Sequence, residues 1–544
     1  MEKAYLREIK YLSQCELVFQ LKLINTKSQV VIDEEIRSLQ PCTDVIKSLL
    51  SRTKSEIENI LGMKNIWDII ITASLTVDGV DVKDDINLKE FMDIPKKNIV
   101  FTIAKQSFEV IINAPLVKEL LLPKVIFANY FHEPTKFKRA YTVKQLSDFI
   151  WYSSTDKVVW TIVHKSFKYK PNINQLGKYL KFKCIPRNSE GEGPHFEVIC
   201  EIPVAEIRLP SKCPFNERHL YTNTWLKEKS RLRVVSYNIL SNNYAEHVPE
   251  PLYCSPHALS IHYRKQLILK ELLGYRADII CLQEVDENVF NFDLKPKLSR
   301  TYRGLFYKKG FKIPEGLACF FNVKKFRSIE DNQIVFAEQL PTNPLFTDTW
   351  NLIAQCTTLK DWILKQLTSL QVTVLQSIER DKIVIIANTH LYFHAEAGTL
   401  RLLQCSIALD YISDICKKYK RLTQSRVSVI FCGDFNSVPT SQVYQFIMNG
   451  FIQCTIETDI ENSEKTICLR HPFKFGSAYG TPKYTNYTID FKGCLDYIFY
   501  DSTSFNVIDC VPLTDESILA KNVALPNEVF PSDHLALVCN LKWT

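Results

Sequence analysis

The sequence is poor in glycine, with 15 in 544 residues, and it has no low-complexity tract, so long disordered segments are not expected. No apolar run approaches the roughly 18–20 residues that a membrane-spanning helix needs, and the longest candidates, such as 382–387, have the length of a strand. The protein is therefore expected to be soluble and without a membrane partner. None of its 17 cysteines stands in CxxC spacing, and the chain is far too long for a small disulfide scaffold, so reduced thiols in an intracellular protein are expected. A strong charge imbalance is also missing. The 67 basic and 60 acidic side chains leave +7, which is mild for this length and does not by itself indicate nucleic acid. The opening MEKAYLREIKYLSQ carries Glu2 and Glu8 among its basic residues, whereas a leader would be nearly free of acids, so no targeting segment is expected there. There is no internal repeat.

What the chain does have is enough apolar residues, 46%, to bury large cores, and a length that calls for two or three domains. Residues 1–115 mix strand-like runs (16–24, 69–77, 98–103) with a helical stretch at 44–60, where Val45, Leu49, Ile57 and Ile60 recur at helical spacing. This predicts a mixed α+β accessory region. Residues 116–212 read as a β-rich, sandwich-like module with strands at 157–163, 179–185 and 195–202, and with the NSEGEGP stretch at 188–194 as a hairpin tip. A linker is expected at 213–230. From 231 to 544, strands alternate with helices, which predicts a layered α/β domain.

In this last domain short apolar runs end in a polar residue, and function in layered α/β folds sits at such strand ends. VVSYNIL delivers Asn238, whose amide can orient a carboxylate or hold a phosphate oxygen. ADIICLQEVD delivers Glu284, a carboxylate whose desolvation a magnesium ion would offset. IIANTHLYFH delivers His390, a donor to a phosphoryl oxygen. In VIFCGDFNSVPTS, Gly433 allows a tight path and Asp434 and Asn436 follow two residues apart, able to hold and deprotonate a water. GCLDYIFYD delivers Asp496, and FPSDHLALVC the adjacent Asp533 and His534, an oriented imidazolium near phosphate. Taken singly, each has an ordinary structural explanation: a turn residue, a surface glutamate, a satisfied histidine. Six such endings in one domain make coincidence a poor account.

SYNIL, LQEVD, NTHL, GDFNS, LDYIFYD and PSDH, in this order over about 310 residues, resemble the endonuclease/exonuclease/phosphatase superfamily. YTNYTIDFKGCLDYIF looks like its deadenylase branch, and NTHLYFHAEAGTLRLLQ with FNERHLYTNTW narrows the resemblance to the 2′-phosphodiesterase group, which degrades 2′,5′-oligoadenylate. The first 220 residues are similar to that group's accessory region, notably DEEIRSLQPCTDVIKSLLSR. The resemblance implies a four-layer α/β sandwich with N-terminal accessory modules. It makes Glu284 a Mg2+ ligand with Asp434 and Asn436, Asp434 the proton donor and acceptor, and Asp496 the partner of His534, with His390 and Asn238 completing the catalytic set. It places Phe491 of the FKG motif against an adenine, where the sequence alone equally allows a core aromatic beside Gly493. The chain departs from the group's pattern at His394-Ala395-Glu396-Ala397-Gly398, where His-Pro-Lys-Gly-Gly is usual, which bears on substrate preference.

The implied activity is Mg2+-dependent hydrolysis of 2′,5′-oligoadenylate to AMP and ATP and removal of 3′ poly(A) tails from RNA, with no obligate protein partner, in the mitochondrial matrix. A cytoplasmic poly(A)-specific deadenylase is the alternative. A lipid-phosphate phosphatase on the same fold and an inactive RNA-binding scaffold are the rivals, and the second would have lost one of Glu284, Asp434, Asn436 or His534. Among basic clusters, Lys308, Lys309 and Lys312 are candidates to steer RNA, while Lys417, Lys418, Lys420 and Arg421 read as a solvated helix end.

Overall fold

This computed structural model describes residues 2–10, 12–25, 30–63, 71–93, 98–247, 253–310, 313–457 and 464–544. The chain divides into two units, Met1–Glu206 and Ile207–Thr544.

In the second unit the apolar runs are apolar because each is covered on both sides. Strand Arg231–Asn238 pairs in parallel with Ile279–Asp286, and Lys382–His390 in parallel with Arg426–Asp434. Each pair lies at the centre of a six-stranded sheet. The inner faces meet in one core, with Leu232, Val234, Ile279 and Cys281 of one sheet against Leu375, Val384, Ile430 and Cys432 of the other. On the outer face of the first sheet, Ile268, Leu272 and Tyr275 of helix Ile261–Tyr275 cover Val235, Ile280 and Leu282. On the outer face of the second, the 25-residue helix Gly398–Leu422 buries Leu402, Leu403 and Leu409 over Ile385, Val429 and Phe431. The result is helix, sheet, sheet, helix: the expected four-layer α/β sandwich. Strands buried on both faces lose the apolar–polar alternation of a half-exposed sheet, which is why they read as continuous runs.

Residues 213–230, expected as a linker, are structured and belong to this unit. Helix Phe215–Arg218 and a 3-10 turn at His219–Thr222 insert Arg218 into the domain. Its guanidinium donates to Tyr275 Oη (2.7 Å), Pro512 O (3.0 Å) and Ala536 O (2.6 Å), and Tyr275 Oη donates to Glu271 Oε1 at 2.6 Å. His219 packs so tightly on Gly274 that a Cβ there would lie 2.1 Å from the imidazole. The FNERHLY stretch is thus part of the catalytic unit's own packing.

The first unit holds a seven-stranded sheet in the order Val30–Pro41, Gln14–Asn25, Glu2–Ile9, Gln106–Ile112, Ile99–Ile103, Ala73–Val77, Val80–Asp81, with helices Ile46–Met63 and Leu88–Asp93. Phe19, Phe101 and Phe108 meet at its centre. The part of the expected strand 69–77 that falls at 69 and 70 lies outside the described residues. A four-stranded antiparallel sheet follows, Thr161–His164, Asp148–Ser154, Tyr179–Ile185, Phe196–Ile199, with one face closed over Trp151, Leu180 and Phe182. The NSEGEGP segment carries a two-residue hairpin, Arg187–Asn188 against Gly191–Glu192. All 17 cysteines are free thiols, and among the described residues no helix is long and apolar enough to cross a membrane.

Candidate active site

The parallel pairing carries the strand ends to one rim. Asn238 and Glu284 arrive on the first sheet, while His390 and Asp434, directly opposite each other in register, arrive on the second. Asn238 spans the gap: its Nδ2 donates to Glu284 Oε1 and to Asp434 Oδ2, both at 3.0 Å. The second Glu284 oxygen accepts from Ser241 N at 2.9 Å.

Glu284 reaches this position through a bulge. Pairing with the Ile313–Asn322 strand slips between Leu282 and Val285, and Glu284 takes a left-handed φ of +54°, a conformation a non-glycine residue holds at a cost and one found often where a side chain must be re-aimed. Opposite the bulge, Gly316 has no room for a side chain, since a Cβ would lie 1.9 Å from Tyr307 O. On the other sheet Gly433 passes as closely, 2.3 Å from Thr389 O by the same measure.

His390 lies between the two acids, its Nε2 3.6 Å from Asp434 Oδ2 and 4.0 Å from Glu284 Oε1. Its Nδ1 contacts Lys309 Nζ at 3.1 Å, and an ammonium can only donate there, so the ring proton is left on Nε2. Burial and the Lys309 charge hold its pKa well below the ordinary value, so the ring is a neutral donor. Lys309 is paired with Glu315 at 2.9 Å. It is a buried support of His390 rather than a surface lysine, and Lys312 lies outside the described residues.

His534 is the opposite case. Its Nδ1 bonds Asp496 Oδ2 at 2.7 Å, and its Nε2 lies 3.6 Å from Asp434 Oδ2 and 3.9 Å from Asp533 Oδ2. Burial alone would lower its pKa, but the Asp496, Asp533 and Asp434 carboxylates raise it well above the ordinary value, so the ring is an imidazolium. Asp496 is itself held by Thr485 Oγ1 at 2.6 Å.

Two acids are short of compensating charge. Burial and the nearby Glu315 push Glu284 up to about 7, and burial and Asp496 push Asp434 up to about 6. Carboxylate oxygens of Asp434 and Asp496 lie within 4.8 Å of each other and of the His534 ring, and Asp496 Oδ1 is buried without a hydrogen-bond partner. Such a set, rich in hard oxygen and poor in charge, fits a divalent cation.

Six expected residues, Asn238, Glu284, His390, Asp434, Asp496 and His534, therefore form one continuous network. Asn436 adjoins it: its backbone N donates to Asp434 Oδ1 and its Nδ2 to Leu391 O, both at 2.9 Å. Phe491 stands outside the network, 39% exposed, on the loop between Asn486–Tyr487 and Lys492–Gly493. That loop hangs beside the site, because Asn486 bridges to His534 and donates to Asp533 Oδ2 at 3.1 Å. It is a partly exposed ring and not a core aromatic.

Lys309, expected to steer RNA, supports His390 instead, and supports that the sequence reading did not single out are Thr485 and a polar brace between the sheets. Gln283 Nε2 donates to Asn388 Oδ1 at 2.8 Å, and Asn388 Nδ2 to Leu282 O at 3.0 Å. Both side chains are fully buried. The signal was there: an amide two residues before His390 and another beside Glu284, in strands otherwise apolar.

A model of the Endonuclease/Exonuclease/phosphatase family matches residues 235–534. The chain is 37% identical over 492 residues to 2′,5′-phosphodiesterase 12 of Rattus norvegicus, covering 85% of this chain and 78% of that one. It is 30% identical over 350 residues to the CCR4-Not complex 3′-5′-exoribonuclease subunit Ccr4 of Schizosaccharomyces pombe, covering 57% and 49%. Among solved structures, ANGEL2, a 2′,3′-cyclic phosphatase, is 26% identical with a TM-score of 0.48, covering 57% of this chain and 96% of that one.

Proposed function

The chain belongs to the endonuclease/exonuclease/phosphatase family, and from that premise we propose that it is a Mg2+-dependent phosphodiesterase that hydrolyses 2′,5′-oligoadenylate to AMP and ATP and removes 3′-terminal adenylates from RNA. The observation that carries this reading is the Asn238 amide shared at 3.0 Å by Glu284 and Asp434, with a neutral and a charged imidazole on either side of Asp434. The relatives named for 2′,5′-phosphodiesterase and for 3′-5′-exoribonuclease activity support the substrate class.

Glu284 and Asp434, with the side-chain oxygen of Asn436, would hold the metal, and Asp496 Oδ1 is a further donor within reach of Asp434 and His534. Bound there, Mg2+ neutralises phosphate charge and lowers the pKa of water. The chain's own residues do the rest. Asp434 accepts the proton of the attacking water. As the water oxygen bonds to phosphorus and the bond to the ribose oxygen breaks, the proton taken up by Asp434 passes to the leaving ribose oxygen, and His534 as imidazolium and His390 through Nε2–H donate hydrogen bonds to the phosphoryl oxygens that gain charge. Asn238 keeps the two acids in register, and Asp496 holds His534 charged and oriented.

Phe491 supplies a face for adenine, a stacking contact worth about 1–3 kcal/mol. The facing loop is fixed by Arg401, whose guanidinium donates to Tyr392 O, His394 O and Ala395 O. Exposed Ala395 and Glu396 stand on it where proline and lysine are usual, so weaker attraction to phosphate is expected there. The test is Mg2+-dependent cleavage of matched 2′,5′- and 3′,5′-linked triadenylates, with uridylate controls and EDTA blanks. Faster cleavage of the 2′,5′ trimer supports the proposal. Exclusive 3′,5′ cleavage makes the protein a deadenylase, and cleavage of neither removes the reading.

A further inference from the structure

The net charge of the chain is concentrated in one stretch. Residues 130–183 hold eleven Lys or Arg and three Asp or Glu, a net +8 against +7 for the whole chain, so the remainder is close to neutral. This stretch builds most of the four-stranded sheet of the first unit, and that sheet has one closed face and one open face. Phe149, Trp151, Leu180, Phe182 and Cys184 fill the closed face. Cross-strand partners share a face, so the pairs Tyr152↔Lys181 and Ile150↔Lys183 define the other one, while Tyr179, opposite the buried Ser154, packs at the edge of the closed-face cluster.

On the open face aromatic rings and lysines interleave. Lys181 Nζ lies 5.0 Å from the Tyr152 ring and 4.9 Å from the Trp160 ring, and Lys157 Nζ lies 4.0 Å from the Tyr179 ring. Trp160 is held at the hairpin tip by its indole N–H on Lys157 O. Glu197 pairs with Lys181 and Lys183, at 3.1 Å each. Asp148, on the same face of its strand, pairs with Arg187 at 2.9 Å, and Asp156 is taken up by Ser154 and the Val158 and Val159 amides, so Lys157, Lys181, Lys183 and Arg187 outnumber the three carboxylates and the face stays positive.

We propose that this face binds single-stranded RNA, with Tyr152 and Trp160 stacking on bases and Lys157, Lys181 and Lys183 meeting the phosphates. An exposed antiparallel sheet with surface aromatics suits unstacked bases, and interleaved cations suit the backbone between them. The choice of RNA as the polyanion rests on the proposed activity, but the binding surface does not.

The experiment uses the full chain in EDTA, which blocks hydrolysis, and the anisotropy of a fluorescein-labelled oligoadenylate of about twenty nucleotides across a salt series. Combined Lys157→Gln, Lys181→Gln and Lys183→Gln is expected to weaken binding at least tenfold and to reduce the salt slope by about 2, from about 0.7 per phosphate contact on a single strand. Trp160→Ala at the exposed tip is expected to cost about tenfold. Both variants should cleave triadenylate with Mg2+ as the parent does, since none of the substituted residues belongs to the catalytic network. Unchanged affinity and slope in the triple variant would overturn the proposal. So would lysine dependence without Trp160 dependence, because any polyanion, or an acidic protein face, would then serve as well. If the parent cleaves no triadenylate, the catalytic reading fails while the binding result still decides this one.

Discussion

Replacing Asp496 with Asn isolates charge from geometry in this site. Asp496 Oδ2 accepts from both Thr485 Oγ1 and His534 Nδ1, at 2.6 and 2.7 Å, and an asparagine oxygen in the same place can keep both contacts. What is lost is the negative charge, the first counterion of the His534 imidazolium. A charge-assisted hydrogen bond contributes about 1.5–3 kcal/mol, and an organised donor removed from a developing anion costs about 2.7–4 kcal/mol, or 10^2–10^3 in kcat. Asp496→Asn is therefore expected to lower kcat on triadenylate by about 100- to 1,000-fold, with KM changed less than about threefold and thermal stability nearly unchanged. The sign of the pH effect follows. With its counterion gone, His534 titrates back towards its ordinary value, so the variant loses proportionally more activity at pH 8 than at pH 6. A kcat within threefold of the parent, or a loss that is the same at both pH values, would refute the assignment of His534 as a charged donor.

Glu284→Ala should reduce turnover by several orders of magnitude while circular dichroism and melting stay close to the parent's, because it removes an acid that the fold holds at a cost; parental turnover would sink the metal assignment. Arg218→Leu should destabilise the second unit by about 3–5 kcal/mol in urea melts, the range for breaking a buried ion pair, and a chain begun at 231 should fold poorly where one begun at 207 does not. Gly316→Ala should lower both stability and activity, since its Cβ meets Tyr307 O at 1.9 Å and the bulge that aims Glu284 must shift; an unaltered melting curve would contradict the close approach. Glu284 and Asp434 have folded pKa values of about 7 and about 6, above the ordinary 4.5 and 3.8. Their contribution to metal-free stability is present below about pH 4 and lost as pH rises towards 7. Differential scanning should show Mg2+ raising the melting temperature more at pH 7.5 than at pH 5.

The catalytic layout was legible in the sequence for a physical reason: strands covered on both faces are mostly apolar, so Asn238, Glu284, His390, Asp434 and Asp496 stood out at or near a strand end. What was not legible depends on pairing between distant strands. Lys309 looked like a surface lysine because only the fold sets it under His390, and the left-handed turn at Glu284 follows from a slip against the Ile313–Asn322 strand. The segment at 213–230 read as a linker because short turns with few apolar residues resemble one, while the burial of Arg218 is settled by Glu271, Tyr275, Pro512 and Ala536, far away in the chain. The charge of residues 130–183 was diluted in a whole-chain average.

The brace of Gln283 and Asn388 has a bearing on how such a site tolerates change. Asn238 and Glu284 ride on one sheet and His390, Asp434 and Asp496 on the other, and the contact of Asn238 with Asp434 crosses between them. The two sheets behave as plates that must stay in register to a few tenths of an ångström, and a pure hydrocarbon interface would let them slide with little resistance. Directional amide bonds set just beneath the rim resist that sliding where it would do most harm. Substitutions in the thiol-rich interface below, at Cys281 or Cys432, should then be felt as lost alignment of the rim before they are felt as lost folding.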